Sequence, residues 1–318
     1  MSVLPQRRLG SSGIDVSVFS LGSWRTFERI PRDQGLAVMR AARDAGITFL
    51  DDARYDDETG TAPIPTGYSE VLFGELFRAA GWPRDETVVT NKLWWEHWPD
   101  ESAALELQGS LGRMGLDHVD VIYANAPING LELDELVASV GGLITAGLAR
   151  TWAIVNWPAD QLLAASAIAA AQGVPPPCAA QLPYNVAHRD EVEGPEMRAA
   201  LTACRAPVVA SYVLFGGVLT GKYDDDPSAG RAAGTLDDPR VAHGAVVGRR
   251  LAALARSVGV TPARLAFAFA LAPPTVASVL FGATRPEQVH ENAAAAGVEL
   301  SDDTLAAIDE AVGAVAIR

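Results

Sequence analysis

Eight short apolar runs, separated by helix-length segments, constrain the fold of this chain most strongly. They occupy residues 16–21, 48–50, 87–90, 119–124, 151–155, 179–182, 208–212 and 276–281. Between them the apolar spacing changes to that of helices. Leu107, Leu111 and Met114 recur at i, i+4 and i+7, one face of a helix. Asp33 is placed to cap a helix running through Ala45. Thr261 followed by Pro262 reads as an N-cap with proline at the first helical position. Leu305, Ile308 and Val312 form the apolar stripe of a last helix behind Ser301. Eight strand–helix units predict a parallel (β/α)8 TIM barrel forming one domain over residues 1–318. A doubly wound open sheet is the rival, weakened because no GxGxxG follows the first run.

A barrel gathers its active site at the carboxyl ends of its strands. Ser23 and Trp24 follow the first run, and Asp51 and Tyr55 the second. Lys92, Asn125 and Asn156 stand at or just after the ends of the next three. Gln181 lies near the end of the sixth, Tyr212 ends the seventh, and Gly282 and Thr284 follow the eighth. Asp51, Tyr55 and Lys92 carry a specific chemistry. A lysine ammonium beside a phenol favours the phenolate and lowers the Tyr pKa, while a carboxylate keeps the lysine charged and in place. Such a unit can protonate a carbonyl oxygen as hydride arrives at its carbon. Long polar loops over residues 56–68 and 223–244 are expected at the same carboxyl face.

Composition excludes several classes of partner. A net charge of -14 argues against nucleic acid and anionic membrane surfaces, both of which require a basic face. The longest fully apolar run, residues 265–274, is too short to span a bilayer. The first residues lack the apolar core of a signal peptide, and Cys178 and Cys204 are the only cysteines, so a reducing cytoplasm is expected. No His/Cys cluster has metal-ligand spacing. The expected partner is a small-molecule substrate; a homo-oligomer is compatible with the sequence.

Order and spacing of further motifs resemble the aldo-keto reductase superfamily over nearly the whole length. The motifs are Arg8-Leu9-Gly10-Ser11-Ser12-Gly13, Gly22-Ser23-Trp24, the Asp51/Tyr55/Lys92 set, Ser69-Glu70 and Gln181 with Tyr184-Asn185. Gly217 to Tyr223 and Gly282 to Asn292 complete them. The stretches from Gly22 to Phe27 and from Val119 to Asn125 are similar to the branch containing the β subunits of voltage-gated potassium channels. The resemblance implies an NADPH-dependent carbonyl reductase on a barrel. Its Asp, Tyr and Lys match Asp51, Tyr55 and Lys92, and the position of its His holds Asn125, as in the potassium-channel branch. The family places its Tyr five residues after the Asp; here the interval is four, so Tyr68 stands as the alternative proton donor.

The resemblance also implies that NADP(H) is the cofactor. Asn156 and Gln181 would bind the nicotinamide carboxamide and Tyr212 would stack on its ring, with Ser23 and Trp24 nearby. Lys222 and the backbone at Leu219 and Gly221 would approach the pyrophosphate. Thr284, Arg285 and Gln288, beyond Gly282, would grip the 2'-phosphate, and Glu291 and Asn292 the adenine. Two other functions fit the motifs: an NADP(H)-binding regulator with weak turnover, and a biosynthetic reductase of a ketosugar or imine. Asp52, Asp56, Asp57 and Glu58 either draw a cationic substrate or solvate their loop.

Overall fold

The computed structural model describes residues 4–225, 232 and 234–313. An antiparallel hairpin, β1 (Gln6–Arg8) and β2 (Asp15–Ser17), precedes the barrel. The barrel strands are β3 (Phe19–Gly22), β4 (Phe49–Asp51), β5 (Val88–Leu93) and β6 (Val119–Ala124). They continue with β7 (Ala149–Val155), β8 (Ala180–Pro183), β9 (Val208–Ser211) and β10 (Val276–Phe281). All eight pair in parallel, and β10 closes the cylinder by pairing with both β9 and β3. This is the expected (β/α)8 barrel. Helices cover the outside, so the strands are buried on both faces and read as continuous apolar runs.

The run 16–21 is two elements rather than one strand. Val16 and Ser17 belong to β2, and the barrel strand starts at Phe19. The chain redirects at Val18, whose N–H donates to Pro5 O at 3.0 Å. The apolar pattern does not break there because the hairpin is also buried. Leu9, Ile14 and Val16 plug the barrel floor against Phe49, Val121 and Tyr123. Gly10 permits the close fit: its φ is +49°, and a Cβ there would sit 2.5 Å from Cys178 O and 2.8 Å from Arg205 O.

A second core lies between barrel and helices. Leu107, Leu111 and Met114 are all buried on the helix Ala103–Met114. Thr261 Oγ1 accepts from Arg264 N at 3.2 Å and Pro262 opens the helix Pro262–Leu271. The last helix, Asp302–Gly313, buries Ile308, and Ser301 Oγ accepts from Thr304 N. Asp33 is not a cap. The helix Arg32–Asp44 is capped by Pro31, and Asp33 sits inside its first turn, where a carboxylate favours the helix dipole.

The loop 56–68 is folded back on itself. Asp56 bridges Thr66, Asp57 N donates to Pro65 O at 2.7 Å, and Gly67 N donates to Tyr55 O at 2.8 Å. Tyr68 already belongs to the helix Tyr68–Ala79. The second long loop is shorter than expected. A helix Pro239–Ser257, capped by the Asp238 side chain, occupies its end, and residues 226–231 and 233 lie outside the described residues. Gly244 is therefore helical; a Cβ there would meet the Phe215 ring at 2.5 Å. Among the described residues no single helix is long and apolar enough to cross a membrane.

Gly74 sits at a tight contact between the helices Tyr68–Ala79 and Ala103–Met114. A Cβ added there would lie 1.9 Å from Met114 O and 2.6 Å from its carbonyl carbon, both backbone atoms that cannot rotate away. Gly74→Ala is expected to lower the melting temperature despite the better helix propensity of alanine. Overpacking costs about 1–3 kcal/mol against a propensity gain of about 1. An unchanged or raised thermal midpoint would contradict this packing.

Candidate active site

The central cluster is built by strand alternation. Thr90 and Lys92, two residues apart on β5, both reach Asp51 at the end of β4. Lys92 Nζ donates to Asp51 Oδ2 at 2.6 Å, and Thr90 Oγ1 donates to Asp51 Oδ1 at 2.8 Å. Gln181 Nε2, from β8, donates to the same Oδ1 at 3.2 Å. Lys92 Nζ also donates to Tyr55 Oη at 3.1 Å, so one ammonium holds both the carboxylate and the phenol. Asp51 and Lys92 are 3% and 6% exposed, a buried ion pair that is tenable only because its remaining oxygens are bonded as well.

Electrostatics settle the protonation of this unit. Burial opposes the charge on Lys92, but Asp51 and Tyr55 outweigh it and hold the ammonium above its ordinary range. For Tyr55, burial raises the phenol foremost; Lys92 pulls it back and Asp51 pushes it up again. The net direction is upward. Lys92 does lower the phenol, as expected, but burial outweighs that pull and Asp51 offsets part of it. Tyr55 is thus a protonated donor at neutral pH, and its oxygen accepts from Lys92, which leaves its own O–H to donate.

Tyr68 stands elsewhere. Its hydroxyl accepts from Arg32 Nη2 at 3.3 Å on the exposed rim. Tyr55, Tyr68 and Trp24 line one cleft, but of the three only Tyr55 bonds to Lys92. Trp94 meets the Tyr55 ring edge-on at 6.1 Å, whereas Trp95 is buried and donates its indole N–H to Asn125 O. Asn125, at the end of β6, donates Nδ2 to Leu93 O at 2.9 Å, so its amide is oriented by the strand that carries Lys92.

The remaining candidates surround this centre. Asn156 adopts φ +59° and its backbone N–H donates to Gln181 O at 3.0 Å. Tyr212, also at φ +59°, keeps its ring 43% exposed, tilted against Trp24 at 6.4 Å and edge-on to Phe215 at 5.5 Å. Gly216, Gly217 and Gly221 follow with φ of +65°, +92° and +78°, and a Cβ on Gly217 would meet Lys222 Cε at 2.6 Å. Leu219 is buried, so only its backbone is available there. Gly282 and Arg285 are exposed. Thr284 Oγ1 donates to Gln288 Oε1 at 3.2 Å, and Gln288 Oε1 also accepts from the backbone of Thr284 and Arg285. These contacts organise the start of the helix Pro286–Ala293, on which Glu291 is half-buried and Asn292 buried.

One participant was not singled out from the sequence. Thr90 shares the strand face of Lys92, so period-two alternation alone marks it. Glu70 is fully buried, accepting from Asn91 Nδ2 at 2.8 Å and Arg113 Nε at 2.5 Å. Asp52 is likewise fully buried and accepts from Ser23 Oγ. It therefore neither solvates the loop nor draws a ligand from solution. Glu58 pairs with Arg25 and Arg29 of the segment after β3, and Asp57 accepts from Thr59 and Ala62 N within the loop.

The family model described as the aldo/keto reductase family matches residues 19–312. A probable voltage-gated potassium channel subunit beta of Oryza sativa subsp. japonica is 31% identical, over 90% of this chain and 89% of the relative. A putative voltage-gated potassium channel subunit beta of Schizosaccharomyces pombe is 32% identical over 96% and 93%. A probable one of Arabidopsis thaliana is 31% identical over 92% and 91%. With the closed parallel barrel, a match running through all its strands and relatives aligned nearly end to end, the chain belongs to the aldo/keto reductase family.

Proposed function

We propose that the protein is an NADP(H)-dependent oxidoreductase that reduces the carbonyl of a small molecule, with Tyr55 as proton donor. The observation that carries this reading is the single ammonium of Lys92 bonded to both Asp51 and Tyr55 Oη at the carboxyl face of the barrel. A bound reduced nicotinamide would supply the hydride. Tyr55 gives its proton to the substrate oxygen, turning the carbonyl into an alcohol. The phenolate left behind is stabilised by the Lys92 N–H already aimed at it, and Asp51 keeps Lys92 charged throughout. Solvent then returns the proton. Asn125, held by Leu93, offers its amide to orient the substrate.

The residues around this centre suit a dinucleotide phosphate. The exposed Tyr212 ring is a stacking surface, and the positive-φ glycines 216, 217 and 221 leave backbone uncovered by side chains. Arg285, exposed at a helix start, supplies a cation for a 2'-phosphate. NADPH is therefore expected to bind more tightly than NADH, measured by tryptophan fluorescence titration. Equal affinities would remove the 2'-phosphate assignment.

Protonation of Tyr55 also predicts a pH profile. Its pKa lies above the ordinary phenol value, so the acid form persists through neutral and mildly alkaline pH. The reduction rate should stay flat there and fall only when Tyr55 ionises. A rate falling already near neutrality would assign the proton to another group.

The decisive experiment is NADPH oxidation against a panel of aldehydes, ketones and imines. Turnover confined to imines would move the reaction to C=N. Tight NADPH binding without turnover would favour a nucleotide-binding regulator, the reading to which the names of the potassium-channel relatives lend support.

A further inference from the structure

Asp52 is a fully buried carboxyl beside the centre that the proposed chemistry does not use. It follows Asp51 directly, and strand alternation sends its side chain to the opposite face, behind the wall of the site. Its Oδ1 accepts from Ser23 Oγ, while Oδ2 is buried with no hydrogen-bond partner among the described residues. Its own N–H is tied to Thr90 O at 3.3 Å. Ser23 is equally constrained: its N–H donates to Asp51 O at 3.0 Å and its carbonyl accepts from Thr26 N at 3.0 Å. The segment between these anchors carries Trp24, which lines the cleft with Tyr55 and meets Tyr212.

We propose that Asp52 is a positioning residue: its carboxyl locks the Ser23–Trp24 turn to the strand that carries Asp51, and so sets the Trp24 wall beside Tyr55. The role attributed to Trp24 rests on the reductase reading; the lock itself does not. A carboxylate is an expensive way to hold one hydroxyl, since an ionised group with an unbonded oxygen should not be buried. The arrangement favours a neutral carboxyl. Burial foremost and the neighbouring Glu70 next push Asp52 well above the usual carboxylate range, against Ser23, the Ala53 N–H and Lys92. Glu70 accepts from Arg113 and Asn91, and Asp51 from Lys92. Asp52 is bonded only by Ser23 and a backbone amide, with no cation in contact, so burial raises its carboxyl with little to oppose it.

A group whose folded pKa is raised binds its proton in the folded state after the unfolded chain has lost it. Stability therefore falls as pH rises from about 4, where an unfolded Asp titrates, up to the folded value. Asp52→Asn keeps the shape, the acceptor for Ser23 and the neutral charge, and does not titrate.

The test combines readouts that do not share a failure. Thermal melts of wild type and Asp52→Asn across pH should show the Asn variant at least as stable at neutral pH, with an advantage that grows as pH rises. A deficit of the Asn variant at neutral pH that disappears only as pH falls below about 4 would show an ionised, stabilising Asp52 and overturn the neutral lock. Asp52→Ala and Ser23→Ala should each shift the tryptophan emission, and the shift should vanish in a Trp24→Phe background. A persistent or absent shift overturns the link to Trp24. With an active carbonyl substrate, Asp52→Ala should raise KM by up to about 10²-fold, the scale of a misplaced binding wall, with kcat largely kept and Asp52→Asn restoring KM. Loss of kcat with unchanged KM would overturn the positioning role. If wild type reduces no substrate, the reductase reading fails, while the melts and the emission still decide the lock.

Discussion

Replacing Tyr55 by Phe is expected to lower kcat by about 10²–10⁴-fold while leaving the fold and nucleotide affinity intact. That range is the usual loss when a positioned general acid is removed. The substitution deletes one oxygen whose structural partner is Lys92 Nζ, and Lys92 keeps its bond to Asp51. The ring stays against Trp94. Tyr68→Phe is the control, because its hydroxyl faces Arg32 on the rim and has no route to Lys92. Rapid-quench or steady-state reduction of one carbonyl substrate by both variants decides the matter. An active Tyr55→Phe beside an inactive Tyr68→Phe would mean that the loop rearranges to bring the second tyrosine in.

Lys92→Met should cost more than activity. It leaves the Asp51 carboxylate, 3% exposed, without its counter-charge. Removing one partner of a buried ion pair is destabilising by about 3–5 kcal/mol, because the survivor stays desolvated and unpaired. Thr90 and Gln181 still donate to Oδ1, which offsets part of that cost but supplies no charge. The double variant Lys92→Met with Asp51→Asn should therefore melt closer to wild type than Lys92→Met alone, since Asn keeps an acceptor for Thr90 and Gln181 and carries no charge. Neither variant should reduce substrate, because nothing then bonds to the Tyr55 oxygen. Thermal melts with parallel kcat/KM measurements separate the two effects. A single variant as stable as wild type would show that Asp51 and Lys92 are held by something other than each other.

Much of this protein is legible along the chain. Strands buried on both faces must be apolar throughout and helices packed on them must be apolar at 3.6-residue intervals, so the eight units stand out. Asp51 and Lys92 also stand out, because charged residues closing apolar runs have few reasons to be there other than each other or a ligand. The local code is weaker where an element is decided by its neighbours. Run 16–21 looks like one strand, although half of it plugs the barrel floor, because both halves are equally buried. Gly244 looks like loop, although it is helical and faces Phe215.

The site divides in the same way. Which residue types sit at the strand ends is written in the sequence, and with it the class of chemistry. Whether Tyr55 or Tyr68 reaches Lys92 is not, since it depends on how the loop 56–68 folds back between them. The protonation of Tyr55 and Asp52 also belongs to the tertiary structure alone. Pairing a lysine with a phenol sets only the sign of one contribution; burial and the neighbouring carboxylates decide the sum. Identity is a property of one residue, whereas burial and field are summed over everything the fold brings near it, and that sum exists only once the barrel has closed.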